Sequence, residues 1–298
     1  MATTTTTLRS VYIRDLSIRG KAERTQELYV HYVAALARFY GRAPDQLSYD
    51  EVADWLFHLQ RERKLSASTL TVAVSAVRFL YGVTLGRDLN ELHAKVPRLR
   101  VQVKRAQAYA VEEVEALLNA AQRWRDRAFL MTVYSGGLRV SEACTLAVKG
   151  GVDRARMQLR VNGKGSKERV LPLSPRLLET LDRYWRAERS GRPGHDGPWL
   201  FIGQKPDQPM SRACGQNIFY AARKRSGVPD KGGIHVLRHS FATHLIESGV
   251  EITLVQRLLG HASLLMTARY LHVTAARLAQ VRSALDLIDS ERLCAKAR

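Results

Sequence analysis

Apolar residues recur at three- and four-residue intervals along most of this chain, and that spacing predicts a mainly helical protein. Residues 21–40 place Leu28, Tyr32, Val33, Leu36 and Phe39 on one stripe, with Gly41 and Pro44 as stop signals. Ser48 followed by Glu51 has the spacing of a capping box, ahead of an apolar face of Val52, Trp55, Leu56 and Leu59. A third helix is expected to begin after Ser66 or Ser68 and to carry Leu70, Val74, Val77, Leu80 and Tyr81. These elements predict a small all-helical first domain over residues 19–88. Residues 1–18, which open on a run of threonines, are expected to be a disordered leader.

The periodicity then breaks. Residues 89–107 are basic and interrupted by Pro97, so the interdomain linker is placed there, as a plain solvated connector or as a strand crossing a DNA backbone. A second domain is expected over residues 108–298. Val114, Leu117 and Leu118 form the buried stripe of a helix at 111–122, and two further helices meet at Gly136-Gly137. One stretch switches to a period of two. Met157, Leu159 and Val161 lead into a Gly-Lys-Gly-Ser turn, and Val170 and Leu171 return, which predicts a β-hairpin over 156–172. Helical spacing resumes at 175–188, 213–225, 235–248, 251–259 and 274–288. The fold class is therefore mainly α with a small β-hairpin in the second domain.

Composition sharpens this picture. The chain has 298 residues, 45% of them hydrophobic, which is enough for two packed domains. Forty-seven Lys and Arg against 28 Asp and Glu give a net charge of +19, and the excess is positive in both domains. A surplus of that size points to a polyanionic partner, nucleic acid first. Three cysteines, Cys144, Cys214 and Cys294, have neither metal-ligand nor disulfide spacing, which suits a reducing, cytoplasmic compartment. The N-terminus lacks the apolar core of a signal peptide, and no apolar run is expected to span a membrane.

Several polar residues stand out against the helical pattern. Arg139 follows Gly136-Gly137-Leu138 at a helix start, where a backbone and an arginine can approach a ligand closely, and Glu142 lies one turn on to orient the guanidinium. Lys164 sits in the hairpin turn between two glycines, with Lys167 and Arg169 after it. His235 and Arg238 share a helix face. His261 follows a Leu-Leu-Gly turn, and Tyr270 comes nine residues later, between Arg269 and nearby His272. Taken singly, each has an ordinary reading as a surface charge, cap or packing residue. His239 and His244 are expected to be structural. A zinc site at His235 and His239 is disfavoured, because the helical His-Glu-x-x-His pattern requires Glu where Val236 stands. Together the set suits attack of a tyrosine on a phosphodiester. Arginines hold the charge of the pentavalent transition state, a lysine protonates the leaving oxygen, and a neighbouring base assists the phenol. Each preorganised contact of this kind contributes about 2–4 kcal/mol.

The segments GLRVSEACTL, GKGSKERVLPL, HVLRHSFATHLIESG, LLGHAS and TARYLHV resemble, in order, the signature boxes of the tyrosine recombinase, or phage-type integrase, family. The resemblance covers residues 20–285 and is nearest to Xer-type recombinases and mobile-element integrases. It implies a two-domain, C-shaped clamp on duplex DNA, with a SAM-like helical domain ahead of the catalytic domain. It implies Arg139 and Arg238 on the scissile phosphate, Lys164 as general acid to the 5′-hydroxyl, His235 as acid/base, His261 as a phosphate hydrogen-bond partner and Tyr270 as nucleophile. Glu142 matches an acidic position that supports the first arginine. Gly136 replaces the threonine common before this box. No metal, ATP or other cofactor is implied. The implied partners are a short core site with inverted repeats, a synaptic tetramer of the chain itself and an accessory or partner recombinase, at the nucleoid. The stretch before the first predicted helix is expected to be too short for the extra arm-site DNA-binding domain of some phage integrases.

Two other functions share parts of this pattern. A type IB topoisomerase would relax supercoils with the same chemistry, and a non-enzymatic regulator would bind DNA without cutting it. The Xer-like first domain argues against the topoisomerase, and completeness of the residue set argues against the regulator. The stripe Leu278, Val281, Leu285 and Ile288 in the last helix is expected to dock on a neighbouring protomer or to pack on its own chain.

Overall fold

The computed structural model describes residues 7–96, 107–163, 168–205, 207–268 and 270. The chain divides into two compact units, Met1–Lys104 and Arg105–Arg298.

The first unit is helical: α1 (Thr7–Ile18), α2 (Glu23–Tyr40), α3 (Tyr49–Arg61), α4 (Ala67–Phe79) and α5 (Leu89–Lys95). The Ser48 capping box forms as expected, with the Glu51 amide bonded to the serine Oγ and the Ser48 amide to the Glu51 carboxylate. Ser66 caps α4, accepting from the Thr69 amide. Val52, Trp55, Leu70, Ala73, Val77, Leu80 and Tyr81 are all buried in one core. Each fully buried aliphatic or aromatic side chain of this kind contributes about 1.5–3 kcal/mol. The window Ala67–Thr84 is long and apolar enough to cross a membrane, contrary to the sequence expectation. Its apolar side chains instead form the centre of this core.

Two boundaries differ from those expected. Residues 7–18 form a helix rather than part of a disordered leader. Leu8, Tyr12 and Leu16 recur every four residues, Tyr12 and Leu16 are buried, and the Tyr12 hydroxyl donates to the Ala76 carbonyl at 2.9 Å. The threonine run hides this stripe in the sequence; residues 1–6 lie outside the described residues. The expected linker also begins too early. Residues 89–95 are helical, Val96 is buried in the core, and its carbonyl accepts from Arg78 at 2.9 Å. Residues 97–106, the remainder of that segment but for Gln107, lie outside the described residues. Phe39 stands off the expected core stripe. It is 46% exposed, with its ring 4.7 Å from that of His58.

The second unit is built around α7 (Trp124–Ser135). Its Phe129, Leu130 and Val133 meet Leu177, Leu181 and Tyr184 of α9 (Pro175–Tyr184), Phe219 of α10 (Arg212–Ser226) and Leu237 of α11 (His235–Glu247). α6 (Val111–Asn119) contributes Val114 and Leu117. The expected hairpin forms from β2 (Gln158–Asn162) and β3 (Glu168–Pro172), paired antiparallel with Leu159 opposite Leu171. A short strand that the sequence did not signal, β1 (Val152–Asp153), completes a three-stranded sheet of order β1-β2-β3. The inward side chains Leu159, Val161 and Leu171 join the core, which fixes the register of the two strands. α8 (Val140–Cys144) follows α7, while α12 (Ile252–Leu259) and α13 (Leu264–Ala268) follow α11. The mainly helical fold with a small sheet is as expected. The predicted helix at 274–288 lies outside the described residues.

Candidate active site

The site forms where α8, β3, α11 and the end of α12 converge on one carboxylate. α7 stops at Ser135, and Gly137 turns the chain with φ +55°. A Cβ at Gly137 would lie 2.4 Å from the Phe241 ring, so the backbone here packs directly against α11. The turn delivers Arg139 to the cap position of α8. The Arg139 amide and Nη1 both donate to Glu142, at 2.9 and 2.7 Å.

Glu142 is the hub. It is buried, and Arg169 on β3 grips both of its oxygens, with Nη2 at 2.7 Å and Nη1 at 3.2 Å. Arg238 on α11 adds a third guanidinium at 3.8 Å. Burial alone pushes this carboxyl up. The bonds from Arg169 and from the Arg139 amide and guanidinium more than offset it and hold the group at about 2. One carboxylate among three guanidiniums leaves a surplus of two positive charges, which is the condition for receiving a phosphodiester.

Arg238 is fully buried. Its Nη1 donates to the Gly137 carbonyl and its Nη2 to the Leu259 carbonyl, both at 2.7 Å. It thereby ties the turn before Arg139 to the end of α12. Burial first, and Arg139 second, lower its pKa to about 10, so it remains charged at neutral pH.

α12 ends at Gly260, which takes the left-handed conformation (φ +64°), and the His261 amide closes the turn on the Gln256 carbonyl at 3.1 Å. That turn sets the His261 imidazole, whose Nδ1 lies 2.9 Å from the Thr267 hydroxyl. Partial burial, then Arg238 and Arg139, depress His261 to about 4, so the ring is neutral at physiological pH. His235, at the first position of α11, reaches solvent. Protein packed around its ring, followed by Arg238 and Arg139, keeps it below its ordinary range.

Tyr270 packs against the cluster of Phe241, Ala242, Ile246, Val255 and Leu259. Its ring lies 6.2 Å from that of His261, nearly parallel at 13°, and 4.9 Å from that of His239. Tyr270 also stands within electrostatic reach of Arg238. The structure thus brings together Arg139, Glu142, His235, Arg238, His261 and Tyr270, which are separated by up to 131 positions in sequence. Lys164 lies outside the described residues, between strands β2 and β3.

The structural role expected for His244 holds. Nε2 lies 2.8 Å from the Tyr109 carbonyl, so it donates, and Nδ1 accepts from the Tyr134 hydroxyl at 2.8 Å. His239 is also buried but is closer to the chemistry than expected, because its ring faces Tyr270. Arg169 is the residue that sequence reasoning passed over as a return-strand charge. Its inward position opposite Val161 was legible in the strand alternation; its partner Glu142 was not.

This fold and arrangement agree with the matches to known proteins. Residues 108–277 match the model of the phage integrase family, and residues 8–91 match the phage integrase N-terminal SAM-like domain. A Sinorhizobium fredii protein carrying the name integrase/recombinase is 34% identical over 284 residues, covering 95% of this chain and 90% of its own. The tyrosine recombinase XerC of a Mycobacterium species (strain KMS) is 33% identical over 286 residues, covering 88% and 92%. The solved structure of the XerH site-specific recombinase bound to a palindromic difH substrate superposes with a TM-score of 0.71 at 24% identity, covering 90% of this chain and 82% of that one. The chain belongs to the phage integrase family, the tyrosine recombinases.

Proposed function

We propose that this chain is a site-specific recombinase that cuts and rejoins duplex DNA through a 3′-phosphotyrosyl bond at Tyr270. The observation that carries the reading is the convergence of Tyr270, His261, Arg238 and Arg139 around the buried Glu142.

The family resemblance, together with the geometry of the described residues, supports the following roles. A guanidinium has five N–H donors. Arg238 spends two on backbone carbonyls, and others remain for a non-bridging phosphate oxygen. Arg139, half-buried and oriented by Glu142, supplies the second guanidinium. Neutral His261 is a phosphate hydrogen-bond partner without a charge to desolvate. The phenol oxygen of Tyr270 attacks phosphorus as the bond to the 5′-oxygen breaks. Lys164 at the hairpin turn delivers a proton to that oxygen, and His235 assists the proton transfers. The new phosphotyrosine conserves the bond energy, so the reverse attack by a 5′-hydroxyl needs neither metal nor ATP.

Both units contribute basic surface to duplex DNA with inverted-repeat arms, and a synaptic tetramer exchanges the strands. The resemblance to recombinases along both units supports this over a site-independent topoisomerase or a non-cutting regulator. The direction of exchange on a mobile element or replicon is set by the DNA and by accessory proteins.

The test uses nicked suicide duplexes with randomised arms. Protein-linked DNA is captured after denaturation in SDS and sequenced. Enrichment of one arm sequence, with the linkage mapped to Tyr270, is the expected result. Failure of the wild-type chain to capture any duplex sinks the recombinase reading.

A further inference from the structure

We propose that Arg169 is a positioning residue that locks the two halves of the recombinase site together. The proposal rests on the recombinase reading above. Arg169 sits on β3, with its side chain about one-tenth exposed. Its fork holds both oxygens of Glu142, and the same carboxylate holds the amide and guanidinium of Arg139. Its third edge, Nε, donates to the Leu258 carbonyl at 2.8 Å. Leu258 lies in the last turn of α12, three residues before His261, and Gly260 of that turn packs against the arginine stem. One planar group therefore spans from the helix that presents Arg139 to the turn that presents His261. It also stands five residues after Lys164, so the strand leading from the hairpin turn is fastened at the same point.

The chemistry of the contact requires arginine. A guanidinium presents a fork and a separate Nε–H in one rigid plane, whereas an ammonium is a point charge that cannot hold a carboxylate bidentately and a carbonyl on its far side. Arg238 braces the adjacent carbonyl, that of Leu259, and the Gly137 carbonyl opposite. The two arginines thus act on consecutive residues of one helix end. In the proposed roles Arg238 contacts the phosphate, whereas Arg169 contacts Glu142 and the Leu258 carbonyl.

The charged groups that face Glu142 are Arg139 at the start of α8, Arg169 on β3 and Arg238 on α11, with His235 and His261 in the same field. Removing Arg169 takes away the strongest of the contacts that keep Glu142 ionised against its burial. Glu142 then takes up a proton at higher pH and releases Arg139. A purely structural arginine would not create that pH dependence.

The experiment compares wild type, Arg169→Gln and Arg169→Lys in the capture assay described above, from pH 5.5 to 8.5, with DNA affinity and melting temperature measured on the same samples. The expected result is a rate of adduct formation lower on the order of 100-fold for Arg169→Gln, comparable to a small misplacement of reacting groups. DNA affinity stays close to wild type, and a new acid limb appears. Arg169→Lys recovers part of the rate and moves the limb back towards wild type. If Arg169→Gln fails to fold, Arg169→Lys decides alone: reduced rate at unchanged affinity and melting supports the lock, and wild-type rate overturns it. Wild-type adducts together with an unaltered rate and pH profile in Arg169→Gln also overturn it. Absence of adducts from wild type itself marks failure of the underlying reading instead.

Discussion

The imidazole of His261 lies nearly parallel to the ring of Tyr270, with centroids 6.2 Å apart. Packing alone explains neither partner, since His261 is depressed by Arg238 and Arg139 and Tyr270 stands in the field of Arg238. Replacing Tyr270 with phenylalanine keeps the ring and its contact with the Phe241 cluster and removes only the oxygen. Adduct formation on a nicked duplex is expected to vanish while DNA binding persists, read by SDS gel and mobility shift on the same preparation. Adducts from the Tyr270→Phe chain would place the nucleophile elsewhere.

The elements of this site differ in how far the sequence discloses them. Arg139, Arg238 and His261 are legible because each sits at a local landmark, namely a glycine turn, a helix face and a helix stop, and Tyr270 becomes a candidate only through their company. The helices and the β2–β3 hairpin are legible because their apolar periods of 3.6 and 2 are set by one buried face. Arg169 is not legible, since its partners Glu142 and Leu258 are 27 and 89 positions away and only tertiary packing joins them. α1 escapes for a different reason. Its stripe of Leu8, Tyr12 and Leu16 is real but lies beside a threonine run of low helix propensity.

The titrating groups of the site make stability fall with acid. His261 is depressed from 6.5 to about 4, and His235 is lowered as well. Between those pH values the unfolded chain binds protons that the folded chain refuses, so stability decreases as pH drops from 6.5 towards 4. Glu142, lowered from 4.5 to about 2, adds a second loss of the same sign between pH 4.5 and 2. Above pH 6.5 these three groups contribute no slope. Urea midpoints measured from pH 4.5 to 7.5 are expected to rise with pH, and His261→Gln to flatten that rise. An unchanged slope in the variant would show that His261 is not buried as a neutral ring.

Two glycines with similar backbone angles separate strain from crowding. Gly41 ends α2 with φ +62° and has open space around the Cβ position. Gly137 has φ +55°, but an added Cβ would lie 2.4 Å from the Phe241 ring and 3.0 Å from the Leu259 side chain. Gly41→Ala is expected to cost about 1 kcal/mol, the left-handed penalty alone. Gly137→Ala adds overpacking of about 1–3 kcal/mol on top. It also displaces the Gly137 carbonyl that Arg238 holds, so adduct formation falls with stability. Equal losses for the two variants in urea unfolding would refute the crowding argument.

The first helix gives a test that is independent of catalysis. Leu16 is fully buried in the core of the first unit, whereas Ile18, two residues on, is 72% exposed. Leu16→Ala removes a packed side chain and is expected to cost about 2–5 kcal/mol, depending on how far the site collapses. Ile18→Ala touches only the surface and is expected to stay within about 0.5 kcal/mol. The loss belongs to the first unit, because Leu16 shares its core with Leu36, Trp55 and Val77. Unfolding is followed in the full chain by urea, with hydrogen exchange assigning the change to residues 7–96. If residues 7–18 were a disordered leader, both substitutions would be silent; a large difference between them establishes α1 as part of the folded unit.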